Sequence, residues 1–241
     1  MKYEIWGNSM PAVTLTLASG ESIYTQSGGM TWMSDGISMT TNARGGFGKS
    51  IGRMFMGASK SLATEDALAV ESIFMVTYTA QRPESTITLA STLPGTIKAF
   101  RITPGYELIA QKQSFLCATQ GIELSVKWTR RMGAGLFGGE GFILESIKGE
   151  GLVFFEIDGS IKEFDLAPGE VLKVDTGNVA MFESTVSYDI ETIKGFKNVF
   201  FGGEGLFLTK LTGPGKVWLQ TMTIPGLAAR LAPYLPSNNN D

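Results

Sequence analysis

The sequence of 241 residues contains no histidine and a single cysteine. Without histidine the chain cannot form Ser-His-Asp or Cys-His nucleophile systems, imidazole general bases or most zinc sites. A lone cysteine excludes an internal disulfide, which fits a reducing compartment. Because Cys117 lies in the apolar run Ser114-Phe115-Leu116-Cys117-Ala118, we expect it to be a buried packing residue.

The sequence also lacks an excess of basic residues and any long apolar run. Lys and Arg number 20 against 23 Asp and Glu, which gives a net charge of −3. Such a chain has no general attraction to phosphate backbones, so no nucleic-acid partner is expected. Residues 1–7 lack the apolar core of a signal peptide, and no window approaches the ~18 uncharged apolar residues of a membrane span. We therefore expect a folded cytoplasmic protein.

Glycine, by contrast, is abundant, and the glycines punctuate short β-branched and aromatic runs that are typical of strands joined by tight turns. Two stretches are nearly identical, FGGEGFIL at 137–144 and FGGEGLFL at 201–208. A second pair, PGYELIA at 104–110 and PGEVLKV at 168–174, recurs at the same offset, and SGESIYT at 19–25 is a degenerate third copy. The chain is therefore predicted to repeat one unit three times.

The repeat predicts an all-β fold of three small β-sandwich or double-stranded β-helix units in one pseudo-threefold body. Repeat 1 spans about 1–97 and carries a Gly-rich basic insertion at 44–62; repeat 2 spans about 98–161 and repeat 3 about 162–224. The remaining 225–241 hold a short helix, predicted at 227–235 after a Pro225-Gly226 stop. The polar tail at 237–241 has nothing to bury and is expected to be disordered.

The repeated Gly-Gly-Glu-Gly strand, the Gly213-Pro214-Gly215 hairpin and the closing helix resemble the altered-inheritance-of-mitochondria (type 24) family over essentially the whole chain. The resemblance implies a fold similar to the tryptophan RNA-binding attenuation protein, with three such units per chain and three chains closing a nine-unit ring. Its eukaryotic members are associated with organisation of the mitochondrial inner membrane. The resemblance brings no catalytic residues, and RNA binding does not carry over because no repeated Lys/Arg pattern matches that protein's RNA contacts.

Residues 43–50, Ala43-Arg44-Gly45-Gly46-Phe47-Gly48-Lys49-Ser50, fit the loose phosphate-loop pattern. Such a loop works because its backbone amides cradle phosphates at a helix N-terminus in a parallel α/β sheet. Here the surrounding chain is β-rich and Ala43 replaces the leading glycine. A Gly-rich insertion is the favoured interpretation, and nucleotide or small-ligand binding at 43–50 is the alternative function.

The same insertion also has the period of a basic amphipathic helix. The apolar side holds Phe47, Ile51 and Phe55 among others, and the opposite side holds the cations Lys49, Arg53 and Lys60. This cationic face suits an anionic membrane surface. However, each of the three glycines within it weakens a helix by up to ~1 kcal/mol relative to Ala. Packing of the helix against its own unit is favoured over membrane contact.

Three carboxylates, Glu71, Glu140 and Glu204, occupy one repeat position. Around an axis they could hold a hard cation through oxygen ligands. A Glu in such a turn more often accepts hydrogen bonds from backbone amides or pairs with a basic residue of a neighbouring unit. We therefore predict interface carboxylates, and we predict no metal and no cofactor.

The four tryptophans, Trp6, Trp32, Trp128 and Trp218, are predicted to be buried rather than to stack bases, because Trp218 takes the place of Phe154 in the closing strand. The sequence presents no convergent acid, base and nucleophile. It therefore predicts a non-enzymatic scaffold or interaction protein. The family resemblance implies that this protein forms a homotrimeric ring, and contact of the insertion at 44–62 with a membrane surface is the less favoured of the two interpretations of that helix.

Overall fold

The computed structural model describes residues 1–26, 28–43, 74–130, 142–192 and 207–235. Antiparallel strands dominate this part of the chain, and the predicted all-β fold with a short C-terminal helix is confirmed. The strands are β1 (Lys2–Trp6), β2 (Ala12–Leu17), β3 (Ser22–Gln26), β4 (Trp32–Met33), β5 (Ile37–Ala43), β6 (Phe74–Ala80), β7 (Ser85–Ala90), β8 (Gly95–Ile102), β9 (Leu108–Gln111), β10 (Phe115–Thr119), β11 (Ile122–Arg130), β12 (Phe142–Gly149), β13 (Gly151–Asp158), β14 (Ile161–Leu166), β15 (Val171–Asp175), β16 (Val179–Glu183), β17 (Ser187–Thr192), β18 (Phe207–Thr212) and β19 (Gly215–Gln220).

Strand pairing follows the same order in three sets of six strands: β2 to β7, β8 to β13 and β14 to β19. In each set the first strand pairs with the sixth, and the third also pairs with the sixth. The fourth pairs with the fifth, and the fifth pairs with the second. We refer to these sets as units 1, 2 and 3. Likeness of the units to the tryptophan RNA-binding attenuation protein stays a prediction, as do the residue boundaries of the repeats.

Successive units are joined because the second strand of one pairs with the third strand of the next, β3 with β10 and β9 with β16. Four sheets result, which we number in chain order. Sheet 1 has the order β1-β2-β7-β4, sheet 2 β5-β6-β3-β10-β13-β8, sheet 3 β11-β12-β9-β16-β19-β14 and sheet 4 β15-β18-β17. Sheets 2 and 3 are thus each shared between two units.

In the described part of the chain, three apolar cores lie between successive sheets. Core 1, between sheets 1 and 2, includes Leu15 and Phe154. Core 2, between sheets 2 and 3, includes Phe155 and Trp218. Core 3, between sheets 3 and 4, includes Val217. Cores 1 and 2 each receive side chains from the unit that follows, because Phe154 belongs to unit 2 and Trp218 to unit 3. Each fully buried large apolar side chain stabilises the fold by about 1.5–3 kcal/mol.

The predicted burial of Cys117 is confirmed, since the residue is fully buried in core 1. Burial also raises the pKa of its thiol, which keeps it protonated. An uncharged thiol in such surroundings acts as a small apolar side chain. Cys117 is therefore a packing residue of the strand that joins unit 1 to unit 2.

One turn precedes the second strand of every unit. Its glycines, Gly20, Gly105 and Gly169, have φ angles of +85°, +88° and +79°, a region that residues with a Cβ atom rarely adopt. In units 1 and 3 the next residue is a glutamate whose side chain closes the turn. Glu21 accepts a hydrogen bond from the Ala18 amide at 2.8 Å, and in unit 3 Glu170 accepts one from the Ala167 amide at 2.8 Å. The aligned Gly-Glu pairs of units 1 and 3 therefore form the same turn.

The C-terminal helix, α1 (Ile224–Leu231), begins earlier than the sequence predicts. Pro225 and Gly226 lie inside its first turn instead of stopping the chain before it. The reason is local: the Thr223 hydroxyl accepts a hydrogen bond from the Gly226 amide at 3.1 Å, and proline is favoured at the start of a helix because its missing N–H has no partner there anyway. In the described part of the chain, no helix has the length and apolarity to span a membrane. The tail at 237–241 lies outside the described residues.

A buried hydrogen bond ties unit 1 to unit 2: the Tyr24 hydroxyl donates to the Ile122 carbonyl oxygen at 2.7 Å. We expect Tyr24→Phe to lower the free energy of unfolding by about 1–2 kcal/mol, because the buried carbonyl loses a donor. Urea denaturation of the variant measures the change. Tyr234→Phe, at a side chain that is 86% exposed, is the control and should leave the midpoint unchanged. Equal midpoints for Tyr24→Phe and wild type would contradict this prediction.

Candidate functional site

Among the described residues, two strand edges are left unpaired at the ends of the repeat. β4 is the third strand of unit 1 and β15 is the second strand of unit 3, and each is an edge strand in its sheet. In the interior of the chain the corresponding strands pair with one another, as β3 does with β10 and β9 with β16. An exposed edge offers unpaired N–H and C=O groups to a strand of another chain. We call β4 and β15 the two open edges and take them as the candidate interaction site.

Strand register shows which residue of β4 is left uncovered. Trp32, Cys117 and Met181 hold the same place in their units. Their partners on the sixth strand are, in order, Thr88, Phe154 and Trp218. Cys117 and Met181 are fully buried, because each also pairs with the second strand of the preceding unit. Trp32 is 51% exposed. It is a large apolar side chain at a position that is covered in the other two units.

Trp32 forms a pair with Trp6 on the outer face of sheet 1. Their ring centroids are 6.1 Å apart. The Trp6 indole N–H donates to Thr14 Oγ1 at 3.0 Å, and that hydroxyl shares a hydrogen bond of 2.9 Å with the Thr88 hydroxyl. The pair is therefore held in place by the strands beneath it while both rings stay open to solvent. We call this surface the tryptophan face.

The prediction that the tryptophans are buried is confirmed for Trp218, which is 3% exposed, and is wrong for Trp6 and Trp32. The side chain of Trp128 lies outside the described residues. Trp6 and Trp32 are exposed because sheet 1 is the first of the four sheets. Core 1 covers its inner face, whereas among the described residues no further sheet covers its outer face.

The second open edge, β15, borders an incomplete core. Leu172 and Tyr188 pack on core 3 but stay half-buried, and Val171 is exposed. On the other face, the Lys173 ammonium donates to the Glu191 carboxylate at 2.7 Å, and such an exposed pair adds little to stability. Among the described residues, core 3 receives no side chain from a following unit, unlike cores 1 and 2. Its apolar side chains therefore stay open on the side of β15.

One buried acid lies apart from the open edges. Glu145 of β12 is 3% exposed, stands opposite Ala110 and Val126, and has an Oε2 atom without a hydrogen-bond partner among the described residues. Burial raises the pKa of its carboxyl to about 7, and the positive charge of Lys112 offsets this only in part. The folded chain therefore has a buried carboxyl that changes its charge near neutral pH.

A small polar cavity lies where unit 2 meets the residues that follow β19. The carboxylates of Glu156 and Asp158 and the amides of Gln111 and Gln220 line it. Burial raises the pKa of both carboxyls, and for Glu156 a hydrogen bond from Ser91 opposes the shift in part. The cavity has a volume of about 30 Å³, which is enough for a water molecule. It has no room for a nucleotide.

All site residues predicted from the sequence lie outside the described residues: Phe47, Lys49, Ile51, Arg53, Phe55, Lys60, Glu71, Glu140 and Glu204. Membrane contact, nucleotide binding at 43–50 and interface carboxylates therefore stay predictions. The residue that sequence reasoning missed is Trp32. Its signal is a spacing, because Trp32 follows Thr25 by seven residues, as Cys117 follows Ala110 and Met181 follows Val174.

Comparison with known proteins extends over nearly the whole chain. The chain is 26% identical over 231 residues to an uncharacterised protein of Streptococcus pyogenes serotype M6, and the match covers 95% of this chain and 89% of that protein. It is also similar to the X-ray crystal structure of a protein from Streptococcus pyogenes. That likeness has a TM-score of 0.72 at 24% identity, and it covers 97% of this chain and 99% of the other. At this identity it shows the fold alone.

The family described as "Mitochondrial biogenesis AIM24" matches residues 3–222. This range runs from β1 through β19 and thus takes in all three units together with the two open edges. The family resemblance inferred from the repeated motifs is confirmed. The chain belongs to the AIM24 family.

Proposed function

We propose that the chain is a non-enzymatic scaffold or interaction protein that assembles with copies of itself through its two open edges. In this assembly β15 of one copy pairs with β4 of the next copy. One observation carries the proposal: second-to-third-strand pairing joins unit 1 to unit 2 and unit 2 to unit 3, and β15 and β4 are the strands left over by that rule. β15 is a second strand without a third strand beside it, and β4 is a third strand without a second strand beside it. Each can therefore supply the partner that the other lacks.

The register of the proposed pairing follows from the two pairings inside the chain. Thr25 stands opposite Cys117, and Ala110 stands opposite Met181. Val174 is the residue of unit 3 that corresponds to Thr25 and Ala110, because each of the three faces the equivalent residue of its fifth strand. The next step of the series places Val174 opposite Trp32 of the next copy. The neighbouring pairs are then Lys173 with Met33 and Leu172 with Ser34.

Burial of the tryptophan face supports the same arrangement. Trp32 of the next copy would enter core 3, at the place where Met181 enters core 2 and Cys117 enters core 1. Covering the exposed half of one tryptophan removes on the order of 100 Å² from water, which stabilises the contact by about 2–3 kcal/mol. The half-buried Leu172 would be covered in the same step, as its equivalents Ile23 and Leu108 are in cores 1 and 2. One contact thus completes core 3 and pairs both open edges.

Such a contact is head-to-tail, so repeated copies close into a ring or grow into a filament. The family resemblance favours closure by three chains into nine units, and we therefore propose a homotrimer. The proposal assigns no reaction to the chain. Peripheral contact with an anionic membrane surface through 44–62, and ligand binding at 43–50, rest on the sequence pattern alone.

Size-exclusion chromatography with light scattering tests the assembly. We expect a mass of three times the 25.9 kDa of one chain across a wide range of protein concentrations. Hydrogen exchange adds a local readout: the amides of β4 should be protected to a degree similar to those of β10, since both strands would be paired on two sides. A monomer mass at every concentration, with fast exchange in β4, would overturn the proposal.

A further inference from the structure

Two elements of the described chain lie outside the six-strand units, and both expose apolar side chains. β1 precedes unit 1, and the exposed fractions of Trp6 and of Met10 in the following turn are 41% and 50%. α1 follows unit 3, none of its residues is buried, and Ile224 and Leu231 are 43% and 50% exposed. A folded chain normally covers a helix face of this kind against another element. Within one chain Ile224 borders the polar cavity beside Leu93, whereas Leu231 is half exposed.

The connections between units fix where α1 lies relative to a following copy. The sixth strand of one unit leads into the first strand of the next through a short connection, 91–94 between β7 and β8 and 159–160 between β13 and β14. The end of β19 at Gln220 therefore lies close to the place where the first strand of a following unit begins. In the proposed assembly that strand is β2 of the next copy.

Backbone hydrogen bonds between these connections show the same progression. The Gly95 amide donates to the Ser9 carbonyl at 3.0 Å, and the Gly159 amide donates to the Pro94 carbonyl at 2.8 Å. Register makes Met10 the equivalent of Gly95 and Gly159. The next carbonyl in the series, that of Asp158, is bonded to the Met222 amide at 3.2 Å. Met222, two residues before α1, therefore holds the place that Met10 of a following copy takes in this series, so α1 begins at the junction with that copy.

We propose that α1 packs its apolar face against Trp6 and Met10 of the next copy and so locks the contact made by the open edges. This inference rests on the proposed self-assembly, and a second copy of the chain is its occupant because the series of connections leads from Met222 to the turn after β1. The two elements that lie outside the units then meet at the junction between chains. Each covers apolar surface that the other leaves exposed.

A cysteine pair tests the contact directly. Met10→Cys combined with Ile224→Cys should form a disulfide between chains under mild oxidation, which gives covalent dimers and trimers on a non-reducing gel. A bridge within one chain would leave only the band of a single chain on the gel, so covalent dimers and trimers report the contact between chains. Met39→Cys with Ile224→Cys is the matched control, since Met39 is also exposed, and it should stay uncrosslinked. Cys117 is fully buried and does not interfere.

A truncated chain that ends at Thr223 tests the α1 contact separately from the pairing of the open edges. We expect it to keep the trimer mass at high concentration and to dissociate at concentrations that leave the full chain assembled, with a dissociation constant raised about 100-fold. A trimer that neither crosslinks in the Met10→Cys, Ile224→Cys variant nor weakens on truncation would overturn the α1 contact and leave edge pairing intact. A full chain that is a monomer throughout would overturn both.

Discussion

Replacing Trp32 by aspartate is expected to break the assembled protein into single chains. In the proposed contact the side chain at position 32 enters core 3 of the neighbouring copy, where an unpaired carboxylate has no partner and a large apolar contact is lost. A substitution at the centre of an interface commonly costs about 2 kcal/mol or more. We expect the dissociation constant of each contact to rise by at least ~100-fold, which corresponds to about 3 kcal/mol.

Light scattering at micromolar concentration measures this effect as a loss of the trimer mass. Trp32 is 51% exposed in one chain, so the fold of the single chain should survive the substitution, and far-ultraviolet circular dichroism should be unchanged. Met39→Asp is the matched control because Met39 is 56% exposed on the edge strand β5 and lies outside the proposed contact. A Trp32→Asp variant that stays trimeric like the control would show that β4 is not the interface.

The all-β fold and the closing helix follow from features that act locally. Turns such as that at Gly169 need a residue without a Cβ atom, and the short β-branched and aromatic runs between turns suit the pleated, half-buried surface of a strand. Aligned residues of the repeats, such as Ala110 and Val174, also stand at corresponding ladder positions. Each repeat contains these residues, so the turns and strands can be predicted from a single sequence.

The candidate interaction site cannot be predicted from these local features, because the site depends on which unit is the first of the chain and which is the last. Trp32 has the spacing of a core residue, and its place in the first unit leaves it exposed. The start of the helix differs from the prediction for another reason: Pro225 ends a helix when it is internal and begins one when it lies in the first turn, and the Thr223 cap decides between the two. The place of Trp32 in the first unit and the place of Pro225 in the first turn of the helix cannot be predicted from residue types alone.

Glu145 is a second residue whose environment the repeat does not predict, and its substitution is expected to change stability strongly. Its equivalents on the fifth strands of units 1 and 3 are Val76 and Thr209, so the repeat predicts an uncharged residue at this place. Thr209 is satisfied by a hydrogen bond of 3.0 Å with Thr176. Glu145 instead leaves Oε2 without a partner among the described residues. The carboxylate is therefore tolerated at the expense of stability when it is charged.

Glu145→Gln is expected to stabilise the folded chain by about 3 kcal/mol at pH 8 and by less than about 1 kcal/mol at pH 5. The pKa of the carboxyl is about 7 in the folded chain and about 4.3 in an unfolded one. Between these values the folded state binds more protons, so wild-type stability falls as pH rises from about 4.3 to 7 and stays low above that. Glutamine removes the charge while keeping the shape, so the variant should lack this decline.

Urea denaturation of wild type and variant at pH 5 and pH 8, at one fixed protein concentration, measures the difference. Glu123→Gln, on the exposed face of the neighbouring strand β11, is the control and should follow the wild type at both pH values. The gap between Glu145→Gln and wild type must widen as pH rises, because only ionisation of the buried carboxyl produces it. A gap of the same size at both pH values would trace the stabilisation to packing or hydrogen bonding of the amide and would refute a buried charge at Glu145.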